Sequence, residues 1–484
     1  GLGLWGRLGK FVGRRHELDL LKDRWSLAAR GRGQVVGLVG EPGVGKSRLV
    51  WEFTHAETTQ DYLALEAAGV SMGATAPCLT ATELLRDYFR VEAGDDARLI
   101  EGKVMAKLAA LDEALVPLGP ALLTLLDVRV SDRQWEAMNA AERRHRTLEA
   151  FKLLLVRESR VQPLRIVVED AHWIDGETQA MLETLAEGIP TARILILITF
   201  RPEYGHGWSS RGFYTQLRVD PLSPESAEEL LDGLLGRRSD LEPLKPLLIE
   251  RTDGNPFFLE ESVRTLVETG ALAGERGAYR LVQPAPTIQV PASVEEVLAA
   301  RIDRLPSDEK MLLQPAAVIG RDVATTLLAA VAEVPEDTLT RALAHLQASE
   351  FLYEASQFPE REYTFKHALT QEVAYASVLP DRRRALHARV LTAMETLYAE
   401  RLGEHVDRLA YHAYQGQVWD KAARYLHQAG DRAFARSANR EAATFLDQAL
   451  EERVAAGGQA LLLSRQVAVV GAGAQEVRQR GLER

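Results

Sequence analysis

Hydrophobic and polar positions along this chain fall into two textures. Residues 34–39, QVVGLV, form an apolar run that stops at a glycine-rich turn, the pattern of a strand buried on both faces. Two further runs, Arg165 to Val168 and Arg193 to Thr199, resemble it. Amphipathic stretches separate them, among them TLEAFKLLLVRES and ETQAMLETLAEG, whose apolar residues recur at helical spacing. Strands alternating with helices in this way predict a parallel sheet with helices on both faces.

After Pro221 the texture becomes helical. Ser223 followed by Pro224 reads as an N-cap with proline at the first helical position. Two or three short helices are expected from there to about Ala273. The proline-rich stretch YRLVQPAPTIQVP at 279–291 marks a boundary. Ser293 with Glu296 forms a capping-box pattern that opens a helix with Val294, Val297, Leu298 and Ile302 on one face. Three further helices end near Ser349, and two strand-like pieces, FLYEA and REYTFK, are joined by SQFPE. Helices plus a β-hairpin are the ingredients of a winged-helix domain. From about Arg384 the chain reads as alanine-rich helix. KAARYLHQA at 421–429 is echoed by EAATFLDQA at 441–449, as in helical-hairpin repeats. The stretch beyond Gly457 reads as a truncated repeat.

Composition narrows this picture without redirecting it. The chain has 484 residues, too many for one hydrophobic core. Its 46% hydrophobic and 26% charged residues are ordinary for a globular protein. No apolar run approaches a membrane span. The start, GLGLWGRLGK, has no initiator Met and none of the regions of a signal peptide, and reads as the beginning of a fragment. The single cysteine, Cys78, excludes an intrachain disulfide or a Cys-based zinc cluster, and a cytoplasmic location is expected. A formal charge of −11 gives no general attraction to nucleic acid or anionic membrane. Arg382-Arg383-Arg384 is a local basic cluster that reads as a solvated helix face.

Gly40-Glu41-Pro42-Gly43-Val44-Gly45-Lys46-Ser47 fits the P-loop pattern without substitution, between a predicted strand and a predicted helix. Its glycines let the backbone curl so that N–H groups point at phosphates. Lys46 would reach the β- and γ-phosphate oxygens, Ser47 would ligate Mg²⁺, and the helix continuing from Arg48 adds the positive end of its dipole. ATP or ADP with Mg²⁺ is the expected ligand. Ile166-Val167-Val168-Glu169-Asp170 is an apolar strand ending in two acids, where a P-loop ATPase holds Mg²⁺ through water and polarises the attacking water. Mg²⁺ and water roles fall to the pair jointly, because an acid order of Glu before Asp is unusual. Thr199-Phe200-Arg201 ends the next strand and places a cation where a γ-phosphate sensor would sit. Asp253-Gly254-Asn255-Pro256 reads as a helix stop. His367 follows the hairpin and begins a helix; from local sequence alone it reads as a cap or core residue.

These residues together resemble a STAND-class P-loop ATPase (a signal-transduction ATPase with numerous domains), of the kind that follows a nucleotide cyclase or precedes a LuxR-type DNA-binding domain. The resemblance runs from Phe11 to about Glu452. Phe11-Val12-Gly13-Arg14 with Glu17-Leu18, the P-loop, and Val168 through Asp175 carry it, followed by Thr199 through Glu203, Gly254-Asn255-Pro256-Phe257 and Tyr363 through His367. It implies that Val12 and Arg14 line the adenine side and that Pro256 packs on the base. It also implies that His367 touches the β-phosphate of ADP and holds a closed state. Arg15 departs from the family, which usually has Glu there, so any salt bridge of that Glu is in doubt.

The expected fold is multidomain α/β plus α. Residues 1–32 carry the Val-Gly-Arg motif, 33–220 the parallel-sheet P-loop NTPase core, 221–290 a helical lid, 291–383 a winged helix and 384–484 TPR-like repeats. The favoured function is a slowly hydrolysing regulatory ATPase. In it ADP closes the domains, while ATP, with a protein partner or ligand at the repeats, opens them for self-association. Its output, a cyclase upstream or a helix-turn-helix downstream, would lie outside this chain. A second reading is a winged-helix DNA-binding ATPase or a LuxR-type regulator binding DNA directly; the acidic balance and the lack of a basic recognition helix argue against it. A third is a repeat scaffold in which nucleotide serves stability alone.

Overall fold

A computed structural model describes residues 10–56, 61–70, 77–92, 94–284, 291–356, 360–436 and 438–455. The stretch beyond Gly457, read above as a truncated repeat, lies outside them, as do 285–290 of the proline-rich boundary and 357–359 of the hairpin loop. The described residues fall into two compact units.

One unit comprises Asp19–Val39, Trp51–Arg218 and the described chain from Arg401. The helix α1 (Arg15–Ala29) leads into strand β1 (Gln34–Val39), and α2 (Lys46–Thr54) into β2 (Leu63–Ala68). Helices α3 (Leu79–Phe89), α4 (Ala97–Leu111), α5 (Gly119–Leu125), α6 (Arg133–Ala137) and α7 (Ala140–Val161) precede β3 (Leu164–Glu169). After α8 (Gly176–Gly188) come β4 (Ile194–Phe200) and β5 (Tyr214–Arg218). The five strands pair in parallel in the order β2-β3-β4-β1-β5. Every residue of β1 and β4 is buried. Because successive side chains point to opposite faces, both faces of the sheet are covered. Parallel pairing also puts the C-terminal ends of β1, β3 and β4 at one edge, where ligands bind in open α/β sheets. The sequence anticipated these three strands within a residue, but not β2 and β5.

The same unit contains α18 (Val406–Gln415), α19 (Trp419–Ala435) and α20 (Asn439–Ala455). The echoed segments lie in α19 and α20 and bury equivalent positions: Ala422, Tyr425, Leu426 and Ala429 in one, Ala442, Phe445, Leu446 and Ala449 in the other. At Gly430 a Cβ would stand 2.8 Å from Leu446 Cγ, so the two helices touch at the small residue. Helix α19 is also fixed by charge. Arg432 and Arg436 both pair with Asp127, Arg432 reaches Asp407 at 3.2 Å, and Arg436 donates to the Pro77 carbonyl at 2.7 Å.

The other unit comprises the described residues up to Leu18, Gly40–Val50 and Val219–Glu400. This grouping by packing cuts across the linear segments 33–220 and 384–484. Helices α9 (Pro224–Leu235), α10 (Leu244–Thr252) and α11 (Pro256–Glu268) share a core with Val12, Leu222, Leu231 and Leu259. Ser223 caps α9 through the Ser226 amide. A two-residue hairpin, β6 (Leu272–Ala273) with β7 (Arg280–Leu281), follows. Then come α12 (Val294–Arg304), α13 (Ser307–Ile319), β8 (Asp322–Ala324), α14 (Thr325–Ala332) and α15 (Glu336–Ala348). Strands β9 (Leu352–Ser356) and β10 (Glu362–Phe365) precede α16 (Ala368–Ala376) and α17 (Pro380–Leu397). The antiparallel sheet has the order β8-β10-β9, so the expected hairpin gains a third strand. The capping box at α12 forms on one side only: Ser293 accepts from the Glu296 amide, whereas the Glu296 carboxylate accepts from Ala292. Among the described residues no helix is long and apolar enough to cross a membrane.

Three histidines make the fold acid-sensitive. Burial, then neighbouring cationic charge, pushes His367 down to about 3 and His387 and His405 down to about 4. Each stays neutral in the native chain, while its unfolded counterpart takes up a proton below about 6.5. Their contribution is present in full above that pH and is lost as pH falls toward 4. Calorimetric unfolding should therefore show a lower transition temperature at pH 5 than at pH 7. An equal or higher transition at pH 5 contradicts it.

Candidate functional site

The P-loop begins where β1 ends. Gly43 and Gly45 adopt φ of +81° and +97°, a left-handed region that glycine enters without penalty. A Cβ at Gly45 would meet open space within 4 Å, so the curl leaves room on that side for a ligand. Lys46, the first residue of α2, is buried, and its Nζ donates to the Gly40 carbonyl at 2.6 Å and the Glu41 carbonyl at 3.0 Å. Ser47 and Arg48 follow in the first turn of α2, with the Arg48 guanidinium 5.8 Å from the centre of the Phe11 ring. Val44 is buried. A curled loop, a lysine and a hydroxyl at a helix N-terminus form a donor set that fits a polyphosphate.

Three other segments of the same unit pack around this loop. Gly13, at φ +67°, is crowded by Ser226 and Leu222, so a side chain there would collide with the start of α9. Its neighbour Arg14 is buried and donates to the carbonyls of Val44, at 3.2 Å, and Asp220, while Glu17 pairs with it at 3.2 Å. The guanidinium thus ties the N-terminal motif to the P-loop backbone. Val12 lies in the core formed with α9–α11. Helix α10 ends at Asp253 and Gly254, both at positive φ, and Asn255 caps α11 by accepting from the Phe258 amide at 3.2 Å. Asn255 Nδ2 also donates to the Pro42 carbonyl at 3.0 Å, and the Phe257 amide to the Gly43 carbonyl at 3.3 Å. Pro256 stands between them as the first residue of α11.

His367 precedes α16, and its side chain makes no capping hydrogen bond. Instead its ring lies against Phe257, with centroids 3.9 Å apart. The local reading as a cap or core residue holds for its place at the N-cap position, though not for a side-chain capping bond. Burial keeps the imidazole neutral, so it can present one N–H as a donor.

In the other unit the acidic pair sits at the end of β3. Glu169 is the last strand residue, and Asp170 turns the chain at φ +51° into a short 3₁₀ turn. The Asp170 amide donates to Thr199 Oγ1 of β4 at 2.9 Å, and Gly69 donates to the Glu169 carbonyl at 2.7 Å. Arg201 follows β4, with its guanidinium 5.8 Å from the Trp173 ring centre. In the register Val39 opposes Phe200, so Gly40 and Arg201 each follow the last paired residue of adjacent strands. Asp175, at the end of the acidic-His-Trp segment, is structural: buried, it accepts from the amides of Glu177, Thr178 and Cys78. Sequence reading did not single out Asn255 or Phe257 for contact with the P-loop, or Thr199 for support of Asp170. The segment Asp253 to Pro256 read as a helix stop, which gives no sign of the bond from Asn255 to the Pro42 carbonyl.

Residues 10–198 match a family model described as an AAA ATPase domain. The chain therefore carries an AAA-type P-loop ATPase domain, in agreement with the resemblance drawn from its motifs. An uncharacterized protein of Rhizobium meliloti (strain 1021) is 27% identical over 460 residues, covering 92% of this chain and 43% of that protein. The chain thus spans less than half the length of this relative. Among solved structures, a STAND protein with a tetratricopeptide repeat sensor from Pyrococcus horikoshii is 13% identical, over 97% of this chain and 66% of its own, at a TM-score of 0.49. The ORC1 protein of Aeropyrum pernix, in complex with DNA, is 14% identical over 77% of this chain and 95% of its own, at a TM-score of 0.32.

Proposed function

We propose that this chain is an ATP- and ADP-binding signal-transduction switch with slow hydrolysis, whose nucleotide state governs domain opening and self-association. The observation that carries this reading is the packing of Asn255 and Phe257 on the P-loop and of His367 on Phe257. A P-loop built only for stability has no use for a chain of contacts running to a histidine more than a hundred residues away.

In this reading the amides of Gly43, Val44 and Gly45 cradle the phosphates with Gly40 shaping the turn, and Lys46 supplies the opposing charge. Ser47 and the Glu169–Asp170 pair would hold Mg²⁺, which when bound neutralises charge on the phosphate oxygens. One carboxylate of the pair orients the attacking water, and Arg201 senses the γ-phosphate. Arg48 adds charge beside the phosphates, Val12 and Arg14 frame the adenine side, Pro256 packs on the base, and His367 donates to the ADP β-phosphate. The organisation that accompanies this is the N-terminal motif segment, NTPase core, helical lid, winged helix from 291 to 383 and TPR-like repeats from 384. The repeats would take a protein partner or ligand, and the regulated cyclase or helix-turn-helix would lie in a longer protein.

The test is Glu169→Gln combined with Asp170→Asn. Carboxamides keep the shape and lose the charge, so ADP affinity should stay at the parent value while hydrolysis falls at least about a hundredfold, since metal positioning contributes several kcal/mol. A double variant hydrolysing at the parent rate would place the catalytic acids elsewhere.

A further inference from the structure

Helix α11 is gripped along its length. At its N-terminus, Phe257 is 3% exposed, its amide donates to the Gly43 carbonyl, and its Cβ lies 2.9 Å from where a side chain at Gly43 would stand. One turn on, Glu260 meets Lys366 at 3.4 Å, and Lys366 meets Glu350 at 2.7 Å. Arg264 pairs with Glu350 as well, and Glu261 with Arg301 of α12. Lys366 immediately precedes His367, so the ion pairs that fix the end of β10 to α11 also set where the imidazole lies. The ring it meets there is that of Phe257, at an interplanar angle of 46°.

We infer that Phe257 is a positioning residue that couples the backbone of the P-loop to His367; this rests on the nucleotide-binding reading above. The phenyl ring has no polar atom and cannot compete for the imidazole N–H. It fixes the plane and position of the imidazole while leaving its one N–H available to a phosphate oxygen. Its backbone is bonded to Gly43, within the turn that would cradle the phosphates. A shift of that turn therefore moves the surface on which His367 rests. Packed interiors transmit such displacements because they hold few voids.

The experiment is a double-mutant cycle on ADP release by the full chain, with Phe257→Leu, His367→Leu and the combination, each checked for thermal unfolding. Leucine retains apolar volume without a flat ring. Each single variant should release ADP about tenfold faster, equivalent to about 1.4 kcal/mol. The double variant should be no faster than the faster single, because the two residues act through one contact. A parent-like release rate for Phe257→Leu beside a faster His367→Leu would overturn the coupling and leave nucleotide binding intact. So would additive effects, even where melting temperatures fall. Absence of ADP binding by the parent would overturn both. Should Phe257→Leu fail to fold, Phe257→Met, which conserves volume with greater flexibility, carries the same cycle.

Discussion

Replacing Lys46 with alanine is expected to weaken ADP binding at least about a hundredfold while the chain stays folded. The lysine is buried at the start of α2, and its amine is held by the carbonyls of Gly40 and Glu41, over the loop that would take the phosphates. Two charge-assisted contacts to phosphate oxygens, at about 1.5–3 kcal/mol each, contribute about 3 kcal/mol or more, and 1.4 kcal/mol is a factor of ten. Alanine is the best helix former, so the first turn of α2 tolerates the change. Calorimetric titration checks it. An unchanged affinity in a folded variant would remove the P-loop from the binding site.

The second large effect concerns stability. Arg301→Ala is expected to destabilise the unit built from α9–α17 by about 3–5 kcal/mol, the usual consequence of breaking a buried ion pair from one side. Arg301 is 1% exposed. It pairs with Glu261, donates to Glu268 at 2.6 and 2.9 Å and to the Ser349 carbonyl at 2.9 Å, and lies 4.5 Å from the centre of the Phe351 ring. Alanine leaves the equally buried Glu261 with Arg264, 3.6 Å away, as its remaining ion-pair partner among the described contacts. Arg301→Met combined with Glu261→Leu should recover part of the loss, because the buried carboxylate leaves with its main partner while Glu268 keeps Arg304 at 3.6 Å. Calorimetric unfolding of both variants decides this. A single variant melting like the parent would show that the pair does not hold α11 to α12.

What the sequence revealed follows a physical division. Strands β1, β3 and β4 were legible because burial on both faces makes them continuous apolar runs. Strands β2 (LALEAA) and β5 (YTQLR) stand at the sheet edges and mix polar with apolar residues, while β8 (DVA) has three residues and is defined only by its partner β10. The P-loop was legible because its chemistry is contiguous. The contact of Asn255 with Pro42 spans 213 residues, and no local pattern encodes it. Arg14 shows the same limit. Resemblance implied a place on the adenine side, whereas its hydrogen bonds to the Val44 and Asp220 carbonyls depend on how distant segments pack.

In the proposed switch one nucleotide engages the P-loop, the start of α11 and His367 together. Hydrogen–deuterium exchange of the full chain with and without saturating ADP and Mg²⁺ tests it most directly, because amide protection reports local opening segment by segment. ADP should slow exchange in three stretches at once: 43–48, 255–260 and 366–371. Protection confined to the P-loop, or none at any of the three while ADP is bound, would contradict it.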